Sequence, residues 1–290
     1  MDTRTLSQFL SLSETLHFGR SSEELHISPS ALSRSIKQLE ENLGSKLFER
    51  DNRRVELTAA GRKLQTYARE TLQNWDTFRE SLTQDSGDLQ GEISIYCSVT
   101  ASYSFLYDIL SDFRQHHPRI ELKLHTGDPA QGINRVTYGR EDIAIVARPD
   151  KLPVNLAFRR IAVSPLVFIS PIEASSTLPN PQPGSAREWR DTPMIVSEEG
   201  IGRERVNDWF KRLRVEPKIY AQVAGHEAIV SMVALGFGIG VVPKIVLDNS
   251  PLVAKVQVLG SAPAAGDFDV GLCALKKRLK SPIIKAIWGD

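Results

Sequence analysis

The chain has 290 residues, 24% of them charged and 41% hydrophobic, enough for about two domains that each bury a core. Thirty-six basic against thirty-five acidic side chains leave a formal charge of +1, which excludes a polybasic or acidic tail but not a local basic face. Cys97 and Cys273 form no CxxC pair and have no histidines at zinc spacing, which argues against a disulfide framework or a structural metal.

The first twenty residues hold no apolar signal-peptide core, and the most apolar window, Ile229–Pro243, carries three glycines. It falls short of the roughly 18 residues that a membrane span needs. A cytoplasmic protein without membrane association, metal or cofactor is expected.

In chain order, Leu6, Phe9, Leu10 and Ser13 share one face of a first helix, by the helical period. Gly19 is read as a break before a short second helix, Arg20–Leu25. Ser28 is a good N-cap and Pro29 suits the first position of a third helix. On that helix Leu32, Ile36, Leu39 and Leu43 form an apolar stripe, and Gly44 is the expected stop. LFERDNRRVEL reads as strand, turn, strand, with Asp51-Asn52 at the tip.

From Thr58 to about residue 84 one long helix is predicted. Leu64, Ala68, Thr71, Trp75, Phe78 and Leu82 alternate four and three residues apart, the spacing of a seam that pairs one helix with another. The alternative is an amphipathic helix lying on its own domain. A polar linker, DSGDLQG, follows.

Beyond Gly91 strand-like runs (EISIYCSV, IELKLHTG, EDIAIVAR, SPLVFISP, PMIVSEE, KIYAQVA, GIGVVP and FDVGLCAL) alternate with helical segments around residues 105–116, 202–212 and 227–235. Such alternation implies a largely parallel sheet with helices on both faces, and some 200 residues suit two lobes. LPNPQPGS reads as a surface loop. Pro129 and Gly132, poor helix formers, obscure where the helix after LHTGDPA begins.

Two short helices, a tight turn and a polar third helix make a helix-turn-helix at about residues 18–37, and the hairpin makes it winged. Ser30, Ser33, Arg34 and Lys37 lie opposite the leucine stripe, where a groove-lying helix would reach bases and phosphates. Arg53 and Arg54 follow the hairpin turn, where a wing would meet DNA. Charge alone leaves these as equally good solvated residues, since residues 1–62 hold nine basic and nine acidic side chains.

The segment from His17 to Gly61, with SPSALSR, LEENLG, LFER and LTAAG in order, resembles the winged helix-turn-helix of LysR-type transcriptional regulators. One departure is Ser21-Ser22, where that family usually has two alanines. The resemblance implies a DNA-binding domain over 1–58 with Ser28, Pro29, Ser30, Ser33, Arg34, Lys37, Arg53 and Arg54 at the DNA. It also implies a dimerising helix and hinge over 59–90 and a periplasmic-binding-protein-like α/β effector domain over 91–290. Lobe I would span about 91–161 and 267–290, and lobe II about 162–266.

YCSVTASYSFL, LHTGDPA, AGHEAIVSMVALGFGIGVVPKIVLDNSP and CALKKRL resemble, within that family, the activators that serve isoleucine and valine synthesis. This implies acetolactate or acetohydroxybutyrate as inducer, double-stranded operator DNA and RNA polymerase as partners, and a homodimer assembling into a homotetramer. Another small carboxylate, or a solute-binding protein or enzyme on the same two-lobed fold, are the alternatives.

Three loops offer sites for the inducer's carboxylate: Ser98 to Ala101 with Thr100, Gly225-His226-Glu227, and Gly200 to Arg203. Each leads into a helix N-terminus; Arg203 would pair with the anion. The bland readings are helix caps for Ser98 and Thr100, an ordinary hydrogen-bonded histidine for His226 and a solvated Arg203. GFGIG follows a helix, unlike a dinucleotide loop, which follows a strand, and His116, His117 and His125 lack further ligands at useful spacing. No catalytic residue is assigned.

Overall fold

The computed structural model describes residues 2–50, 54–83, 89–172, 181, 185–259 and 266–289. The chain divides into two compact units, residues 1–87 with 138–140, and residues 88–137 with 141–290.

In the first unit α1 (Thr3–Thr15) starts at Asp2, whose carboxylate accepts from the Thr5 amide at 2.7 Å. Leu12, rather than the expected Leu10, joins Leu6 and Phe9 in the core. Next, α2 (Phe18–Glu24) begins two residues earlier than predicted and takes in Gly19. The reason is a cap: the His17 ring accepts from the Arg20 amide at 3.2 Å, which outweighs one glycine's low helix propensity.

Ser21 and Ser22 are buried, but their hydroxyls reach Thr15 Oγ1 (2.5 Å) and the Gly19 carbonyl (2.8 Å). Serine therefore does alanine's packing work without leaving a buried hydroxyl unpaired. The third helix, α3 (Pro29–Leu43), is capped by Ser28 and closes at Gly44, whose φ of 62° lies in the left-handed region. Leu32, Ile36 and Leu39 are buried, whereas Leu43 is largely exposed because the helix runs past the core there.

β1 (Phe48–Arg50) and β2 (Val55–Leu57) pair antiparallel; Asp51, Asn52 and Arg53 lie outside the described residues. Glu40 ties this hairpin to α3. Its buried carboxylate accepts from the Leu47 and Phe48 amides at 2.8 and 3.2 Å and faces Lys46 and Arg50 at 3.6 and 3.7 Å.

The long helix, α4 (Ala59–Thr83), is capped by Thr58, which accepts from the Gly61 amide at 2.9 Å. A Cβ at Gly61 would lie 2.2 Å from the Leu47 carbonyl. The apolar seam of α4 divides. Leu64 and Ala68 are buried among Phe9, Leu12 and Leu39, and Thr71 is half-buried. Trp75, Phe78 and Leu82 are 46%, 53% and 65% exposed. The first half of the helix thus lies on its own domain, which corrects the reading of the whole run as one continuous seam.

The second unit is built from β3 (Gly91–Cys97), α5 (Val99–His116), β4 (Ile120–Thr126), α6 (Gly132–Thr137), β5 (Ile143–Ala147), β6 (Leu156–Pro171), α7 (Ala186–Asp191), β7 (Pro193–Ser197), α8 (Ile201–Leu213), β8 (Lys218–Val223), α9 (His226–Ala234), β9 (Ile239–Pro243), α10 (Lys244–Asp248), β10 (Val256–Val258), β11 (Asp267–Leu275) and α11 (Pro282–Trp288). A 3-10 turn at Pro129–Gln131 precedes α6, where the Asp128 carboxylate accepts from the Ala130 amide at 2.9 Å.

The strands form one sheet in the order β4-β3-β5-β11-β6-β9-β7-β8, with β10 beside β6. It is mixed rather than largely parallel: β3 runs parallel to β4 and β5, and β7 to β8 and β9, whereas β5, β6, β9, β10 and β11 meet antiparallel. The first half of β6, with Arg159 and Arg160, was not read as strand, nor was β10. Alternation with exposed charge hides such half-covered segments from an apolar-run search.

Lobe I packs Ile93, Ile95, Ile143 and Ile145 under α5 and α11, with Tyr96, Val136, Ala144 and Val146 on the opposite face. In lobe II Phe168, Trp189, Trp209 and Phe210 form an aromatic core, with neighbouring centroids 4.8–6.0 Å apart. Ile195, Ile229, Val230 and Val242 fill its other side. No helix among the described residues is long and apolar enough to cross a membrane.

Glu40→Ala should lower the stability of the first unit by about 1–3 kcal/mol, because two buried amides lose their acceptor. Thermal unfolding followed by circular dichroism measures this, and an unchanged melting profile would mean that the hairpin holds without Glu40.

Candidate functional site

Two places in the chain collect polar groups that the core does not use. The first is the outer face of α3. Ser28 is spent on capping, accepting from the Ala31 amide at 3.2 Å, and lies 3.1 Å from the Ser30 hydroxyl. Pro29, Ser30, Arg34 and Lys37 are exposed and Ser33 is half-buried. Lys37 faces Glu41 at 3.7 Å on the solvent side, a pair worth little in water. Among the described residues Arg34 has no ion pair or hydrogen bond.

The helix is held rigidly behind this face. Ser35 donates to Gln8 of α1 at 2.5 Å, and the Ile27 amide reaches the Ser22 carbonyl at 3.0 Å across the turn. His26 in that turn takes φ 52°, a left-handed residue that sets the angle between α2 and α3. At the hairpin Arg54 is exposed; Arg53 lies outside the described residues.

The second place is the cleft between the lobes of the α/β unit, a cavity of about 260 Å³. It forms where the carboxyl ends of parallel strands face each other, as ligand sites in open α/β sheets do. The segment after β4 supplies Asp128 to Ala130, that after β5 supplies Lys151, the end of β7 and the segment after it supply Ser197 and Glu199 to Gly202, and that after β8 supplies Gly225 and His226. Ile133, Ile201 and Phe268 add apolar walls.

The cleft's lobe I floor is braced from behind. Tyr96 donates to the Asp128 carbonyl at 2.8 Å, and Arg135 lies 4.6 Å over the Tyr96 ring while gripping buried Glu141. On the lobe II side Gly200, with φ 87°, leaves only 2.8 Å between a would-be Cβ and the Ala130 methyl. Gly200 therefore permits both the turn into α8 and the close approach of lobe I. Neither α8 nor α9 has a side-chain cap hydrogen bond, and the residues that begin both helices, Ile201, Gly202 and His226, line the cavity, so their first-turn amides are not taken up by a side-chain cap.

The sequence-derived effector candidates separate here. His226 lines the cleft, and among the described residues its ring has no hydrogen-bond partner. Burial holds its imidazole below the usual histidine range, so it is neutral at pH 7 and free to accept or donate.

Thr100 is buried, and both its amide (2.9 Å) and hydroxyl (2.5 Å) donate to Glu227 Oε1. Burial opposes the charge on Glu227, but the Thr100 hydroxyl, the local amides and His226 more than offset it, and its carboxyl lies below the ordinary glutamate value. The pair joins α5 in lobe I to α9 in lobe II.

Ser98 caps α5 by accepting from the Ala101 amide at 3.1 Å. Arg203 donates to the Ser197 carbonyl and Gln222 at 2.9 Å and to Asn207 at 3.1 Å. Ser98, Thr100, Ala101, Arg203 and Glu227 are not in the cavity lining. Lys151, Asp128, Ile133 and Phe268 are lining residues that sequence reading missed; the rule that clefts gather strand carboxyl ends would have flagged the first two.

Cys97 and Cys273 are buried and unbonded, and burial pushes their thiols up to about 11 and about 12. They are packing groups, not reactive ones. Among the described residues no cluster of His, Cys, Asp and Glu is arranged to hold a metal ion.

Comparison with known families matches residues 3–62 to "Bacterial regulatory helix-turn-helix protein, lysR family" and residues 86–289 to "LysR substrate binding domain". The chain is 44% identical over 295 residues to the HTH-type transcriptional activator IlvY of Salmonella typhimurium, covering 99% of this chain and 98% of that one. It is 40% identical to the activator of the same name from Haemophilus influenzae, covering 99% of each. Among solved structures, full-length OxyR from Pseudomonas aeruginosa (22% identity, TM-score 0.70, 99% of this chain and 93% of that one) and CbnR (22%, 0.65, 99% and 96%) share the fold.

Because the folded state resists the proton that an unfolded His226 accepts, this group's contribution is complete above the ordinary histidine pKa and is lost as pH falls through and below it. Glu227, also held low, adds a second loss in the acidic range below the ordinary glutamate value. The effector unit's melting temperature should therefore fall between about pH 7 and pH 5, and His226→Asn should flatten that slope. Equal slopes for variant and parent would mean that the imidazole is not held neutral by the fold.

Proposed function

The chain belongs to the LysR family of bacterial helix-turn-helix regulators, and from that premise we propose that it is a DNA-binding transcriptional activator of branched-chain amino acid biosynthesis, switched by a small carboxylate in the inter-lobe cleft. It is a regulator and not an enzyme. A helix whose polar face is free of the core stands in one chain with a cleft sized for a small acid, and that pairing carries the proposal. The near-full-length identity to activators named IlvY supports the pathway.

In this scheme α3 enters the major groove of operator DNA. Ser30, Ser33 and Arg34 meet base edges, Lys37 meets phosphate, Ser28 and Pro29 set the helix start against the backbone, and Arg53 and Arg54 place the wing. Exposed Trp75, Phe78 and Leu82 on α4 meet the same residues of a second copy, extending the line begun by Leu64, Ala68 and Thr71 and giving a homodimer; two dimers assemble as a homotetramer. The protein works in the cytoplasm, where DNA and RNA polymerase are at hand.

Acetolactate or acetohydroxybutyrate is the inducer. An inducer gripping both lobes favours the closed arrangement by its difference in affinity for the closed and open forms. The change reaches the DNA as an altered bend, whose cost depends on sequence, and RNA polymerase then engages.

Gel-shift titration with the promoter region of the acetohydroxy acid isomeroreductase gene, with and without acetolactate, tests the scheme. Binding that is specific and changed in mobility or affinity by acetolactate is the expected result; a response to a different carboxylate would move the protein to another pathway. Arg34→Ala should cost about 1–3 kcal/mol in operator affinity and relax discrimination at one base position, whereas unchanged affinity would take Arg34 out of the interface. Trp75→Asp should turn dimers into monomers by light scattering, and a persisting dimer would place the interface elsewhere.

A further inference from the structure

The polar groups around the cleft are of two kinds, and their imbalance selects among ligands. Asp128, Glu199 and Glu204 line it beside one ammonium, Lys151, and the neutral ring of His226. Asp128 accepts from the Ala130 amide and Glu199 from the Gln131 side chain, neutral donors that bring no positive charge to either carboxylate. Glu204 is exposed in the first turn of α8, and among the described residues it has no ion pair.

Lys151 likewise pairs with no carboxylate among the described residues. It is bracketed by Pro149 and Pro153, which also line the cavity and restrict the loop that carries it. The other anion position suggested by sequence, the start of α5, is already filled, since Glu227 takes the Thr100 amide and hydroxyl and Ser98 takes the Ala101 amide. A ligand carboxylate entering the cleft is left with Lys151 of lobe I and the uncapped amides at Gly200–Gly202 of lobe II.

We propose that Lys151 is the specificity-determining residue of the cleft: it accepts one carboxylate, while Asp128, Glu199 and Glu204 repel a second, so the site selects small monocarboxylates over dicarboxylates. This rests on the cleft being the effector site. A single carboxylate held between Lys151 and the start of α8 also joins the lobes. A dicarboxylate places its second charge against three like charges, with no further Lys or Arg among the described residues of the lining. The neutral His226 ring is left for a hydroxyl or carbonyl on the ligand, and Ile133 and Phe268 for its alkyl groups.

The test is calorimetric titration of the full chain and two variants with 2-acetolactate, 2-ketoisovalerate, lactate, malate and succinate. Lys151→Gln should weaken monocarboxylate binding about tenfold or more, as loss of a charged hydrogen bond does, while Lys151→Arg restores most of it. Glu204→Gln should shift affinity the other way, tightening monocarboxylates about two- to threefold by removing a nearby like charge and admitting malate or succinate. Both side chains are exposed, so melting temperatures should stay unchanged.

If 2-acetolactate fails to bind but another monocarboxylate shows these opposite shifts, the pathway assignment falls and the role of Lys151 stands. If 2-acetolactate binds all variants equally, or malate binds the parent as well as 2-acetolactate does, the role of Lys151 is overturned and the pathway assignment stands. If none of the five acids binds the parent, both fall.

Discussion

Strands β6 and β11 run antiparallel from Leu156 opposite Leu275 to Pro165 opposite Asp267, and the chain passes between the two lobes along them. Everything about the cleft depends on that double crossing. The lobes are joined in one sheet, so their strands keep a common framework, yet the joint is only two strands wide. A register shift between Val270 and Gly271 interrupts the ladder midway, and a Cβ at Gly271 would lie 2.3 Å from the Arg159 carbonyl. Such irregularities are where strands bend, and this one falls in the stretch of ladder that joins the lobes.

Beyond that joint, the contacts that close the cleft are side chains on either side of it. Thr100 with Glu227 and Ser104 with Asn249 (3.2 Å) join α5 to lobe II, and Gln131 reaches Glu199 across the cleft itself. These bonds belong to the protein, so a ligand is not needed to bring the lobes together. Its influence is limited to what it adds beyond them, because a ligand shifts an equilibrium only by its preference for one state. At about 1 kcal/mol each the inter-lobe bonds are individually modest, so in the proposed scheme a ligand that touches both lobes adds to them on a comparable scale.

The helical unit was legible in the sequence because its signals are local. Ser28 caps, Pro29 starts, Gly44 stops, and the stripe Leu32, Ile36, Leu39 lies within fifteen residues of helix. The cleft was not, because its lining comes from loops after β4, β5, β7 and β8, from Asp128 at one extreme to His226 at the other. Each loop alone looks like a cap or a turn. Thr100 shows the difficulty: a threonine at a helix start reads as an anion contact, and it is one, but the anion is Glu227 of the same chain. Only the fold brings those two within bonding distance. The apolar run on α4 divides for a related reason, since periodicity reports that a face is apolar without reporting what covers it. Leu64 and Ala68 meet their own domain, while Trp75, Phe78 and Leu82 are left outside it.

Charge accounting links these observations. A chain with a formal charge of +1 has little net field to steer ligands, so selection must come from where individual charges are held. In the first unit the buried Glu40 spends Arg50 and Lys46 on the wing, and Arg34 on α3 has no partner among the described residues. In the second, Arg203, Arg135 and Arg278 are spent on backbone carbonyls or on carboxylates of the same lobe, and Lys151 is left over at the cavity. In both units the fold consumes most of its cations in building the scaffold. Arg34 and Lys151 belong to the cations that form no ion pair among the described residues, and in the proposed scheme each stands where an anion from outside the chain, a DNA groove in one case and a carboxylate in the other, would complete the pairing.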